Sequence, residues 1–160
     1  MTESAQPEKP DVMLLPSSVR SRVALGLTAA AARGRFELQV CRNCGAVQYP
    51  PREACGGCLG SILDWTLQDG AGELISETLL CHSHDEFFRA YLPIRLGLVK
   101  LDCGPTAVVY VADAVRAAPT RVRVAVRLDK AGNAALVAMA ANASDTPLTG
   151  TLGLLLRIPP

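Results

Sequence analysis

Residues 41–58 read CRNCGAVQYPPREACGGC, two Cys-x-x-Cys pairs with ten residues between Cys44 and Cys55. A Cys-x-x-Cys turn aims two sulfurs at one point, and two such turns supply a full tetrahedral set of thiolates. Gly45, Gly56 and Gly57 crowd the turns, where backbone amides must point at sulfur and a positive φ is often required. Pro50-Pro51 stiffens the link between the halves. The spacing predicts a zinc ribbon with Cys41, Cys44, Cys55 and Cys58 as ligands. An iron site of the rubredoxin type uses the same four ligands, but nothing else in the chain suggests electron transfer. With every ligand position filled by protein, the metal is structural rather than catalytic. Its binding free energy serves as folding free energy for a segment too small to have a core of its own.

Other chemistry-bearing residues are sparse. His82 and His84 lie two apart and share a face if the segment is a strand. With Cys81 and Asp85 nearby they suggest a second metal site, but two imidazoles without a clear third ligand also fit surface histidines. Either one as the general base of a stand-alone hydrolase lacks a nucleophile and an orienting group. Cys103 sits in a turn with no histidine near it in sequence, which reads as a spare thiol. Arg121, Arg123 and Arg127 fall on one face of a predicted strand. That face is either solvated or a site for the phosphates of a nucleotide-like ligand, whose oxygens match arginine forks. Phe87, Phe88 and Tyr91 group on a long predicted loop, and aromatics so grouped predict a contact surface.

These residues need elements to position them. The segment 1–17, with Pro7 and Pro10, reads as a disordered tail. Ser17 or Ser18 looks like an N-cap for a helix over 18–33, stopped by Gly34. That helix, the unit 18–34, packs on its own domain or docks on another subunit. The ribbon occupies 35–69, with strands at Phe36–Val40, Ala46–Tyr49 and Ile62–Leu67. Trp65 covers the metal site, fills the seam to the next module, or is an ordinary core aromatic. From Gly70 to Ala141 the periodicity is β, with strands at 74–80, 94–101, 106–111, 121–128 and 134–140. Gly97 suggests a bulge or a tight bend. Five short strands predict a mainly β chain ending in a small closed barrel of the OB type. Residues 142–160 form a C-terminal arm, with LGLLLRIPP apolar enough to pack as a strand or on a partner.

Composition narrows the function classes. A chain of 160 residues holds one ordinary domain or two small ones, and an apolar fraction of 49% is ample for a core. The net charge of +1 supplies no strong field for nucleic acid or a membrane surface. No apolar run reaches the ~18 residues of a membrane span, and the N-terminus has no signal-peptide pattern. With Cys81 and Cys103 as free thiols, the expectation is a soluble cytoplasmic protein.

The order of helix, four-cysteine ribbon and small β-barrel resembles a known family, the OB-fold proteins with a rubredoxin-like zinc ribbon that accompany acyl-CoA enzymes. The resemblance covers roughly residues 18–141. Its carriers are CRNCG with the following PPREAC, CGGCLGS, Trp65, the GAGEL opening of the barrel, and LPIRLGLVKLDCG. One departure is Ala117-Ala118-Pro119, where the family has a glycine before the proline; it bears on the shape of that loop.

Members of that family are non-catalytic partners of thiolase-fold enzymes: acyl-CoA thiolases, acyltransferases and the retro-aldolases that shorten steroid side chains. Related pairs degrade aromatic compounds. The resemblance therefore implies an accessory subunit in a hetero-oligomer, α2β2 or similar. Such a subunit supports assembly, solubility or the holding of a CoA ester, with the arginine face as the candidate CoA contact. The rival expectation is a single-stranded nucleic-acid binder, because ribbons and OB-folds both serve that role. That role needs a basic groove lined with stacking aromatics, and the predicted barrel strands offer only Tyr110.

Overall fold

Alternation decides the barrel. In β7 (Thr120–Leu128), Val122, Val124 and Val126 are buried while Arg121 and Arg123 face solvent. The computed structural model describes residues 14–143 and 148–157. Five strands close on themselves in the order β4-β5-β6-β8-β7. They are β4 (Ala71–Leu80), β5 (Ile94–Leu101), β6 (Thr106–Val111), β7 and β8 (Ala134–Ala140). All pairings are antiparallel except β6 with β8, which is parallel at Tyr110↔Val137. This is the expected mainly β chain with a five-stranded OB barrel.

Closure depends on β4, which pairs with both β5 and β7. Its register shifts between Leu74 and Ser76, leaving Ile75 as an extra residue. The bulge that bends the barrel therefore lies in β4, not at Gly97. Gly97 solves a packing problem instead. A Cβ there would lie 2.4 Å from Leu74 Cδ1 and 2.7 Å from Val111 Cγ2, inside the core.

The ribbon is a separate sheet, ordered β2-β1-β3, built from β1 (Glu37–Cys41), β2 (Val47–Gln48) and β3 (Leu63–Leu67). It does not have a separate core. Leu27, Ala31, Phe36 and Leu38 belong to the same buried cluster as Leu74, Val99, Val122 and Val124 of the barrel.

Helix α1 is shorter than its sequence suggests, Leu25–Ala32 rather than 18–33. Ser17 and Ser18 cap nothing. They lie before the first helical turn, in a segment of no regular structure where Arg20 donates to the carbonyls of Ser17 and Val19. The helical turns begin at Ser21, whose carbonyl and hydroxyl both accept from the Ala24 amide. The helix ends at Gly34, with φ +66. The Gly34 amide donates to Ala31 and the Arg35 amide to Ala30, the paired closing bonds of a Schellman motif. Leu27, Ala30 and Ala31 are spaced to share one face, and they are buried against the chain itself. Gly26 lets the helix approach Trp65 so closely that a Cβ would lie 2.3 Å from the indole ring. Trp65 thus fills the seam between helix and ribbon.

A second buried cluster covers the outside of the barrel. In β8, Leu136 and Ala138 face the barrel interior, while Val137 and Met139 are buried on the opposite face. The cover comes from α2 (Glu86–Arg89) and α3 (Gly150–Leu155), through Phe87, Leu152 and Leu155, followed by Leu156. A strand buried on both faces reads as a continuous apolar run, and AALVAMA does. The C-terminal segment is therefore a short helix closing over its own barrel, rather than a strand or a free arm. Its apolar spacing at Leu152, Leu155 and Leu156 matches that role. Residues 1–13 of the predicted tail 1–17, and residues 144–147 and 158–160 of the predicted arm, lie outside the described residues.

Candidate metal centre

Two loops of the same design face each other at the end of the ribbon. In the first, the Cys41 amide donates to the Ala46 carbonyl (3.0 Å) and the Gly45 amide to the Cys41 carbonyl (2.8 Å). In the second, the Cys55 amide donates to the Gly60 carbonyl (2.8 Å) and the Leu59 amide to the Cys55 carbonyl (3.0 Å). Each loop thus presents two sulfurs on one side. The four Sγ atoms lie within 4.8 Å of one another. Cys41 and Cys58 are 3.5 Å apart across the loops, and Cys44 and Cys55 are 3.6 Å apart. A tetrahedral zinc with Zn–S bonds of ~2.3 Å sets sulfur–sulfur edges of ~3.8 Å. All six cysteines of the chain are free of disulfides. The donor set fits one structural zinc, with no position left open for substrate.

Electrostatics agree with a cation at the centre. The backbone amides of Cys58 and Gly57 pull the Cys55 thiol down to about 6. Cys58 feels a similar pull from Gly60, but crowding by Cys44, Cys41 and Cys55 pushes it up to about 12. Four thiols sharing so small a volume cannot all ionise unless a cation balances them.

Two buried glutamines, silent in the motif, hold the loops in register. Gln39 clamps Arg52, accepting from its amide (2.8 Å) and donating to its carbonyl (3.0 Å). Gln48 accepts from the Gly56 amide in the second loop (2.6 Å). The signal for them was polarity at buried positions in short strands beside the cysteines.

A second feature was missed. Superposing CRNCGA on CGGCLG puts Leu59 where the first loop has Gly45. Gly45 has φ +74 and Leu59 has φ +61. That conformation costs a non-glycine residue ~1–2 kcal/mol, and the Leu59 side chain is 80% exposed.

The three arginines share the outer face of β7 but do not converge. Arg121 donates to Asp102 (2.9 Å for Nη1 to Oδ1) and borders a cavity of about 550 Å³ beside Glu73 and Arg116. Arg123 and Arg127 border a different cavity of about 300 Å³, at the seam between ribbon and barrel, with Phe36, Asp69 and Met139. Arg127 also donates to the Val126 carbonyl. The aromatic trio is divided between core and surface. Phe87 is buried in the second cluster, with Phe88 and Tyr91 packed half-buried against it. Asp85 caps α2 by accepting from the Phe87 amide, and the Phe87 ring is buried among Val137, Met139, Leu152 and Leu155 from β8 and α3.

His82 and His84 are exposed and touch edge to face, with ring centroids 5.0 Å apart. Among the described residues, the four cysteines are the one group of three or more such side chains placed to share an ion. Burial pushes the Cys103 thiol up, which suits a packed residue rather than a nucleophile. No helix among the described residues is long and apolar enough to cross a membrane.

Residues 28–64 match the family described as ChsH2, rubredoxin-like zinc ribbon domain. Residues 65–140 match the family described as ChsH2, C-terminal OB-fold domain. No curated protein matches the chain in sequence. A solved structure described as "Ltp2-ChsH2(DUF35) aldolase" has a TM-score of 0.63 at 21% identity, covering 79% of this chain and 99% of that one. At that identity the likeness is one of fold. The two family matches are consecutive and meet within β3, and together they span both the cysteine centre and the barrel; the chain belongs to the ChsH2 family of zinc-ribbon and OB-fold proteins.

Proposed function

We propose that this chain is a non-catalytic accessory subunit of a thiolase-fold enzyme acting on a CoA thioester. The observation that carries the reading is the closed metal centre. All four metal positions are taken by cysteine, so the ion has no site for a substrate or a reactive water. The rest of the described chain offers no nucleophile with a base in hydrogen-bond reach. The solved relative in fold is described as an aldolase that joins Ltp2 to a ChsH2 chain, which supports a two-component enzyme.

In this reading the metal braces the ribbon, and the ribbon and barrel present a surface to the catalytic subunit. The CoA ester is held jointly with that subunit. Arg123, at the seam cavity, is the cation of the β7 face best placed for a phosphate, because Arg121 is engaged by Asp102. The acyl group expected is aromatic or steroidal, and the reaction is a thiolase, acyltransferase or retro-aldol step. The outer face of β5 and β6, where OB-folds commonly take nucleic acid, is mainly aliphatic, with Leu96, Leu98 and Val108 beside Lys100 and Tyr110, rather than a groove lined with several cations and stacking aromatics.

The test is reconstitution. The purified chain alone should turn over no acyl-CoA. Co-expression with a thiolase-fold partner protein should give a complex that comigrates on size exclusion and gains thioester activity. Turnover by this polypeptide alone, or failure to form that complex, overturns the reading.

A further inference from the structure

We propose that the two cysteine loops form an oxidation latch. Peroxide joins Cys41 to Cys58 and Cys44 to Cys55, and the two bridges replace the metal in holding loop to loop. The latch is separate from the accessory role and needs no partner. Its sulfurs already stand in pairs. Those of Cys41 and Cys58 are 3.5 Å apart, and those of Cys44 and Cys55 are 3.6 Å apart. Both approaches run between the loops rather than along either Cys-x-x-Cys turn. Each also couples an exposed cysteine of one loop to a buried cysteine of the other: Cys58 with Cys41, and Cys44 with Cys55.

That division sets the order of events. Peroxide meets the exposed sulfurs first, and a sensor cysteine works when a second sulfur beside it resolves the oxidised one. The Cys58 sulfur takes one oxygen from peroxide to become a sulfenic acid, and water leaves. The Cys41 sulfur then attacks the Cys58 sulfur; the S–S bond forms as the S–O bond breaks, and a second water leaves. Cys44 and Cys55 repeat the sequence. Each bridge thus consumes one peroxide, oxidises two thiols and yields two waters, and solvent supplies any thiol proton the metal had displaced. A sulfur committed to a disulfide no longer binds zinc, so the ion departs as the bridges form. The loops stay together without it. The Cys44–Cys55 bridge nests inside the Cys41–Cys58 bridge, and both span the two loops that the metal spanned. Gln39 on Arg52 and Gln48 on Gly56 add hydrogen bonds in which no sulfur takes part. Bridges confined within each Cys-x-x-Cys turn would instead leave loop unlinked to loop.

The experiment treats the full, zinc-loaded chain with hydrogen peroxide, as wild type and with Cys81→Ser and Cys103→Ser combined. Zinc released to a chromogenic chelator, disulfides after non-reducing trypsin digestion, and Tm are measured, with chelator-stripped reduced protein for comparison. Trypsin cuts after Arg42 and Arg52, which puts Cys41, Cys44 and the pair Cys55 and Cys58 on three separate peptides. The expected result is loss of the zinc and all three peptides joined, with fragmentation placing the bonds at Cys41–Cys58 and Cys44–Cys55. The oxidised protein should regain about half or more of the Tm lost on stripping, and reductant with added zinc should restore the metal. A third peptide left unjoined, with its own Cys55–Cys58 bond, overturns the latch. So do bonds from Cys41 to Cys55 and Cys44 to Cys58, or bridges from the loops to Cys81 or Cys103 in the wild type. Sulfinic or sulfonic acids without bridges, an oxidised Tm no higher than that of the stripped protein, or zinc retained in excess peroxide overturn it as well.

Discussion

Arg121 on β7 reaches across to Asp102, in the turn that follows β5, and the guanidinium holds that carboxyl below its usual range. A carboxyl depressed in the fold contributes stability above its unfolded pKa and loses it as pH falls through the folded one. Both groups are exposed, so the contribution is small and screened by salt. Thermal melts should show Arg121→Gln slightly less stable than the wild type at neutral pH, with the gap closing in acid and in high salt. Gly97 makes a larger prediction at the same scale. A methyl there meets Leu74 Cδ1 and Val111 Cγ2, so both fully buried side chains must shift within the packed core. Gly97→Ala should cost ~1–3 kcal/mol in urea denaturation, as overpacked cores do. The glycine was visible in the sequence, but its role was not, because a one-dimensional pattern separates Gly97 from Leu74 and Val111 by a strand and more.

At the scale of elements, the loop between β6 and β7 is held by a staple. Arg95 pairs with Glu77 (2.7 Å) and donates to the carbonyls of Ala112 (3.2 Å) and Val115 (2.7 Å). Glu77 in turn accepts from the Ala118 amide at 3.3 Å. This loop carries Val115 and Arg116 on the wall of the larger cavity. Charged hydrogen bonds to half-buried carbonyls are worth ~1.5–3 kcal/mol each at most. Arg95→Met should lower stability by ~2 kcal/mol and raise amide exchange and proteolysis selectively at residues 112–118.

The barrel strands were legible because period-two alternation is local, and β5, β6 and β8 begin and end where the pattern does. The helices were not. Ser17 and Ser18 satisfy an N-cap rule, yet the chain there stays outside the helix, where Arg20 donates to the Ser17 and Val19 carbonyls. Phe87 reads as a loop aromatic until α3, far along the chain, supplies the other half of its cluster. The four cysteines were legible from spacing alone, whereas the strain at Leu59 emerges only when the two loops are compared in three dimensions.

At the scale of the molecule, the family boundary between ribbon and barrel is not a boundary in the packing. Phe36 and Leu38 from the ribbon, and Leu27 from α1, share one buried cluster with the barrel strands. Loss of the metal therefore reaches past the loops that bind it. A strong chelator should remove one zinc per chain and lower the Tm of the whole protein by roughly 10 °C or more, in a single transition. Two separate transitions, with the barrel melting unchanged, would show that the ribbon unfolds alone. Acid acts in the same direction, since protons compete with the ion for the thiolates.

The seam between α1 and the ribbon gives the chain an internal optical gauge. Trp65 is the sole tryptophan, and it lies against the backbone of Gly26. Its emission should redden and its quenching by acrylamide should increase whenever that contact opens. Titrating metal into stripped protein while exciting at the indole band would then read the closing of helix on ribbon directly, without any added dye.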